Sequence, residues 1–131
     1  MIFGIDHIAI AAKDPQRLAE WYVEHLDFEI VAHNGASPPT LLVGGGAGAL
    51  IEIMPDNGSA VVAHEWADPG IRHIALRVDD LGEAQAKLEA AGARSIRPGG
   101  DAMGGGTLWN FADPEGNVLQ IVERPDHFLG I

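Results

Sequence analysis

The chain has 131 residues, 47% of them apolar, enough for one folded domain or for two half-size modules that share a core. Its 19 acidic against 8 basic side chains give a formal net charge of −11, which argues against nucleic acid and anionic membranes as partners. There is no cysteine, so disulfides and thiolate chemistry are excluded; no apolar run approaches the roughly 20 residues of a membrane span; and the start MIFGIDHIAI has neither a basic opening nor a small-residue cleavage site, so a cytoplasmic protein is expected.

The first element is GIDHIAIAAKD from Gly4, a strand-like apolar run that carries His7. Asp14 before Pro15 predicts a helix start. The carboxylate caps open N–H groups, and proline lacks an N–H that would have no partner there. Leu18, Trp21, Tyr22, His25 and Leu26 follow at helical spacing. FEIVAH, TLLVG and ALIEIM then read as strands, the last two joined by GGAG. The GGGAG run lacks the lysine, the hydroxyl residue and the following helix of a phosphate loop, so a hairpin turn is expected. Residues from about 57 to 69 read as a linker.

The second half repeats the first. GIRHIALRVDD, from Gly70, matches the opening segment at six of eleven positions, including His7 and His73. Asp79 or Asp80 can cap a helix with Leu81, Ala84, Leu88 and Ala91 on one face, closed by Gly92. ARSIR, TLWNFA and NVLQIVE read as strands, the last pair turned by DPEG. Between the first two lies PGGDAMGGGT, which reads as a mobile glycine-rich loop and a candidate lid. Each half is therefore β-α-β-β-β. The expected fold is α+β: two such modules, about 1–56 and 70–131, form a cupped mixed sheet in a single domain over 1–131.

The repeat also aligns the last strands. LIEIM places Glu52 where VLQIV places Gln120, an offset of 68 against 66 at the histidines. A polar side chain on an apolar strand row is expensive singly. Four at repeat-related positions point to a common centre. Two imidazoles, a carboxylate and an amide oxygen suit a borderline divalent ion, and four protein ligands leave open positions for water or substrate. One carboxylate leaves a divalent centre with net positive charge, a Lewis acid. His7, Glu52, His73 and Gln120 are thus the candidate metal ligands.

DHIAI, LIEIM, RHIALRV and FADPEGNVLQIVE, with the paired layout, resemble the vicinal oxygen chelate superfamily of glyoxalases, bleomycin-resistance proteins and extradiol dioxygenases. The resemblance covers nearly the whole chain. It implies a metal held by His7, Glu52, His73 and Gln120, and a small substrate chelated through adjacent oxygens. It also implies a divalent ion (iron, nickel, cobalt, zinc or manganese) and a homodimer. Two departures separate the chain from glutathione-dependent glyoxalase I. Gln120 stands where that enzyme has a glutamate able to act as base, and an amide cannot take a proton at neutral pH. Ala11 stands where that enzyme has an arginine for the glutathione carboxylate. Glu52 is left as the only base among the four ligands.

The expected chemistry is epimerase, isomerase or lyase-type proton transfer through a metal-stabilised enolate, with Glu52 as catalytic base. One alternative is an extradiol-type dioxygenase, for which His7, His73 and Glu52 supply the ligand types. Another is a metal-free, bleomycin-resistance-like protein that sequesters a cationic ligand. Arg77, on the row of His73, is a candidate clamp for a substrate carboxylate or phosphate. Met103, Trp109 and Phe111 are candidate walls of an apolar substrate pocket. Trp66 is a candidate dimer contact, and His33, His64 and His127 read as surface residues.

Overall fold

The structure, a computed structural model, describes residues 1–46 and 48–126. It divides into two compact units, Met1–Val62 and Ala63–Ile131. The first contains β1 (His7–Ala12), α1 (Pro15–His25), β2 (Glu29–His33), β3 (Leu41–Gly44) and β4 (Leu50–Pro55). The second contains β5 (Ile74–Val78), α2 (Leu81–Ala90), β6 (Arg97–Asp101), β7 (Thr107–Ala112) and β8 (Val118–Glu123). Each is the β-α-β-β-β unit that the repeat predicts. The sheet orders are β1-β4-β3-β2 and β5-β8-β7-β6. In each, the first strand lies parallel to the last, and the other three form an antiparallel meander. Among the described residues no helix is long and apolar enough to cross a membrane.

Both helices start where the sequence predicts. The Asp14 carboxylate accepts from the Arg17 N–H at 3.1 Å, with Pro15 at the first helical position. Of the two candidate caps for α2 the structure uses Asp80, which accepts from the Glu83 N–H at 2.9 Å. Glu123, at the end of β8, accepts from the Leu81 N–H at 2.9 Å, so a carboxylate meets the positive end of α2.

The alternation of the strands builds each core. In the first unit Leu41, Val43, Ile51 and Ile53 are buried with Leu18, Ala19 and Tyr22 of α1. In the second, Trp109, Phe111, Leu119 and Ile121 are buried in the same register. Helix α2 packs on β7 and β8 but supplies a single buried side chain, Leu88.

The PGGDAMGGGT segment corrects the sequence reading. The sixth strand is RPGGD, not ARSIR, so half of the expected loop is an edge strand paired with β7. Its glycines are there for approach rather than for mobility. The register slips between Arg97 and Gly100, and a Cβ on Gly99 would press on the Leu108 carbonyl. The remainder is a tight turn. The Gly105 N–H donates to the Ala102 carbonyl at 3.0 Å, and the Arg124 guanidinium donates to the Met103 and Gly105 carbonyls.

Gly106 ends that turn with a φ of +99° and with its α-carbon against the Glu123 carbonyl. A methyl there meets both a left-handed backbone and a fixed oxygen. Gly106→Ala is expected to cost about 2 kcal/mol or more in urea unfolding. Gly100→Ala, with open space around its α-carbon, is expected to cost far less.

Candidate metal centre

The first pair of predicted ligands comes from β1 and β4. Ala9 pairs with Glu52, and His7 stands two residues earlier on the same face. His7 Nε2 lies 3.8 Å from Glu52 Oε2, too far for a hydrogen bond. On the other side of the ring, Nδ1 lies 2.8 Å from the Asp6 carboxylate. A carboxylate only accepts, so Nδ1 carries the proton and the Nε2 lone pair faces Glu52. Two acceptors facing each other repel unless a cation stands between them. The cation can be a second proton or a metal ion. Ligands each about 2.1 Å from one ion stand about 3 to 4 Å apart, and the observed spacing lies in that range.

Asp6 was not singled out in the sequence. Its hydrogen bond is the main cause of a His7 pKa raised above the ordinary 6.5, with the Glu52 charge adding to it and desolvation opposing it. The sign follows. The interaction is fully present below the unfolded value of about 6.5 and is lost as pH rises through the higher folded value. In metal-free protein, Asp6→Asn is expected to move the His7 titration, followed by NMR, down toward 6.5. An unmoved midpoint would remove Asp6 as the cause.

The second pair repeats this register. Ala75 pairs with Gln120, and His73 again stands two residues earlier. Gln120 is 6% exposed. His73 is held differently from His7. Arg72 occupies the place of Asp6, so no carboxylate orients the ring. The indole of Trp66 stacks on it instead, with centroids 5.2 Å apart and planes at 19°. Trp66 also takes the Arg97 guanidinium, 4.2 Å from its ring centroid. His73 Nδ1 and Arg72 Nε are buried with no hydrogen-bond partner among the described residues. Trp66, expected at a dimer contact, thus lies against a predicted ligand.

The substrate-binding candidates separate. Arg77 is exposed on β5, on the face of His73. Met103 is 92% exposed in the turn after β6. Trp109 and Phe111 are a correction: they are 4% and 0% exposed, stacked at 5.1 Å, on the face of β7 opposite Asn110. Their parity puts them in the core rather than beside Gln120, whose face they do not share. Asn110, not Trp109 or Phe111, pairs directly with Gln120. It is 1% exposed, and its Oδ1 is buried without a partner.

Among the other histidines, His33 hydrogen-bonds Gln16 at 3.2 Å and His64 lies 3.7 Å from Asp68, both on the surface. His127 lies outside the described residues. No group of three or more His, Cys, Asp or Glu that could hold an ion is found among the described residues. The first unit holds a histidine beside a carboxylate, His7 and Glu52, and the second a histidine and an amide at the matching register, His73 and Gln120. Within the first unit the facing acceptors of His7 and Glu52 fit a borderline divalent ion, and within the second the buried His73 Nδ1 lacks a partner among the described residues.

Comparison with known proteins places the chain in a family. The model of the Glyoxalase/Bleomycin resistance protein/Dioxygenase superfamily matches residues 4–121. The lactoylglutathione lyase of Escherichia coli O157:H7 is 26% identical over 136 residues, covering 95% of this chain and 96% of that protein. The crystal structure of the glyoxalase family protein from Enterococcus faecalis is 27% identical with a TM-score of 0.76, covering 93% of this chain and 98% of that one. TnmS3, an antibiotic binding protein from Streptomyces sp. CB03234, shares the fold at 23% identity and a TM-score of 0.71, over 95% and 98% of the two chains.

Proposed function

The chain belongs to the glyoxalase/bleomycin resistance protein/dioxygenase superfamily, and from that premise we propose that it is a metal-dependent enzyme acting by proton transfer on a small oxygen-chelating substrate. The reading covers epimerase, isomerase and lyase reactions. The observation that carries it is His7 Nε2 facing Glu52 Oε2 at 3.8 Å, with Nδ1 already held by Asp6. His7, Glu52, His73 and Gln120 would hold the ion. Bound, it supplies Lewis acidity toward a substrate oxygen and acidifies the neighbouring C–H.

The chain's own groups do the rest. Glu52 takes the proton from the carbon beside the substrate carbonyl and returns it to the same or a neighbouring carbon. Gln120 holds a ligand position without competing for that proton. Arg77, on the face of His73, holds a carboxylate or phosphate of the substrate, and exposed Met103 is a further contact. Similarity to lactoylglutathione lyases supports isomerase or lyase chemistry. Gln120 and Ala11 separate it from the glutathione-dependent reaction. A cytoplasmic homodimer completes the reading; Ile2, Phe3 and Ile5, 90%, 96% and 70% exposed, offer apolar surface to a second copy.

The test is elemental analysis of protein purified from metal-replete cells without added metal. About one nickel, cobalt, zinc or manganese ion per chain is expected. Iron would redirect the reading to extradiol-type oxygen chemistry, and protein that takes up no divalent ion would overturn it. A second reading, a non-catalytic protein that sequesters a cationic ligand, is favoured by the net charge of −11. Metal-free protein that binds basic compounds tightly would establish it.

A further inference from the structure

We infer that Asn110 is a positioning residue that fixes which end of the Gln120 amide faces the ion. The inference rests on the metal reading above. It starts from a comparison of the two units at matched register. In the first, the strand neighbour of Glu52 on β3 is Leu42. In the second, the strand neighbour of Gln120 on β7 is Asn110. The rows around them correspond residue for residue: Ala9, Glu52, Leu42 and Ala32 in one sheet, Ala75, Gln120, Asn110 and Arg97 in the other.

The difference follows the chemistry of the ligand. A carboxylate has two equivalent oxygens and binds whichever way it is turned, so an apolar neighbour suffices. An amide has one oxygen that can bind and one NH2 that cannot. Unless something holds the NH2 away, half of its orientations turn hydrogens toward the ion. Asn110 offers the required acceptor. Its Oδ1 is buried and unpartnered, while its Nδ2 is turned toward the Pro98 carbonyl at 3.5 Å. Directly paired residues on adjacent antiparallel strands have side chains within reach of each other. The Gln120 side chain makes no hydrogen bond with any described residue, so its NH2 is available to that acceptor. When Gln120 Nε2 donates to Asn110 Oδ1, a buried acceptor is satisfied and Oε1 is left as the exposed end of the amide.

The test is zinc(II) titration of chelator-stripped, full-length protein by competition with a chromophoric chelator. Asn110→Leu copies the neighbour of Glu52 and is expected to weaken zinc binding about tenfold or more. Asn110→Asp keeps an acceptor and is expected to stay well within that. In a Gln120→Glu background the Asn110→Leu change is expected to cost no more than about twofold, because the ligand no longer has a wrong end. An unchanged affinity in Asn110→Leu, or an equal loss in both backgrounds, overturns the inference and leaves the metal reading standing. Failure of the unsubstituted protein to take up zinc, nickel or cobalt overturns both. Should Asn110→Leu not fold, the Gln120 NH2 protons of the zinc-loaded unsubstituted protein decide. Slow exchange with solvent supports the hydrogen bond, and exchange as fast as that of exposed side-chain amides overturns it.

Discussion

His7→Ala is expected to weaken zinc binding by on the order of a few hundredfold. Binding energies of about 10–16 kcal/mol over four ligands put one ligand at about 2.5–4 kcal/mol. The effect should exceed that of any neighbouring substitution. His7 is the one predicted ligand whose non-coordinating nitrogen already has a carboxylate partner, Asp6 at 2.8 Å, the arrangement that raises the basicity of a metal-binding imidazole. Its removal also leaves Glu52 without the group it faces at 3.8 Å. The His7 side chain is 40% exposed, so its truncation leaves the core intact, and unchanged unfolding would separate lost binding from lost folding. His33→Ala and His64→Ala, on surface contacts of their own, are the matched controls. Equal zinc affinity in His7→Ala and the unsubstituted protein would remove His7 from the centre.

Phe111→Ala is expected to destabilise the protein by about 3–5 kcal/mol in urea unfolding. Phe111 is fully buried, pairs with Leu119 across the sheet and stacks on Trp109 at 5.1 Å. The site cannot collapse around the loss. Helix α2 brings only Leu88 to that core, and Gly99, which lies against the Leu108 carbonyl, has no side chain to move in. Met103→Ala, at an exposed turn position, is expected to change stability by no more than about 0.5 kcal/mol. A Phe111→Ala loss as small as that would contradict the placement of Phe111 in the core.

The repeat made most of the architecture legible. Identity between GIDHIAIAAKD and GIRHIALRVDD pointed to two equivalent strands, each followed by a helix start, and LIEIM against VLQIV aligned Glu52 with Gln120. Strand β6 was not legible, because RPGGD carries no apolar alternation and its pairing rests on backbone alone. Trp109 and Phe111 were read as pocket walls because aromatics near a loop look alike whether they face a ligand or a core. Only parity decides. Counting outward from the DPEG turn pairs Ala112 with Val118 and therefore Asn110 with Gln120, so both Asn110 and the misplacement of its neighbours could have been found. The roles of Asp6 and Trp66 could not. Asp6 touches His7 through a side-chain rotamer, and Trp66 reaches His73 from a segment without regular structure, which periodicity does not address.

An internal repeat invites the idea of interchangeable halves. Asp6 against Arg72, and Leu42 against Asn110, mean that these halves are not interchangeable. Two first halves joined together would bring two glutamates and two orienting aspartates, enough negative charge to quench a dication. Two second halves would bring arginines and amides, with no carboxylate in the row to take a proton. On the proposed metal reading, neither half could therefore stand in for its sibling.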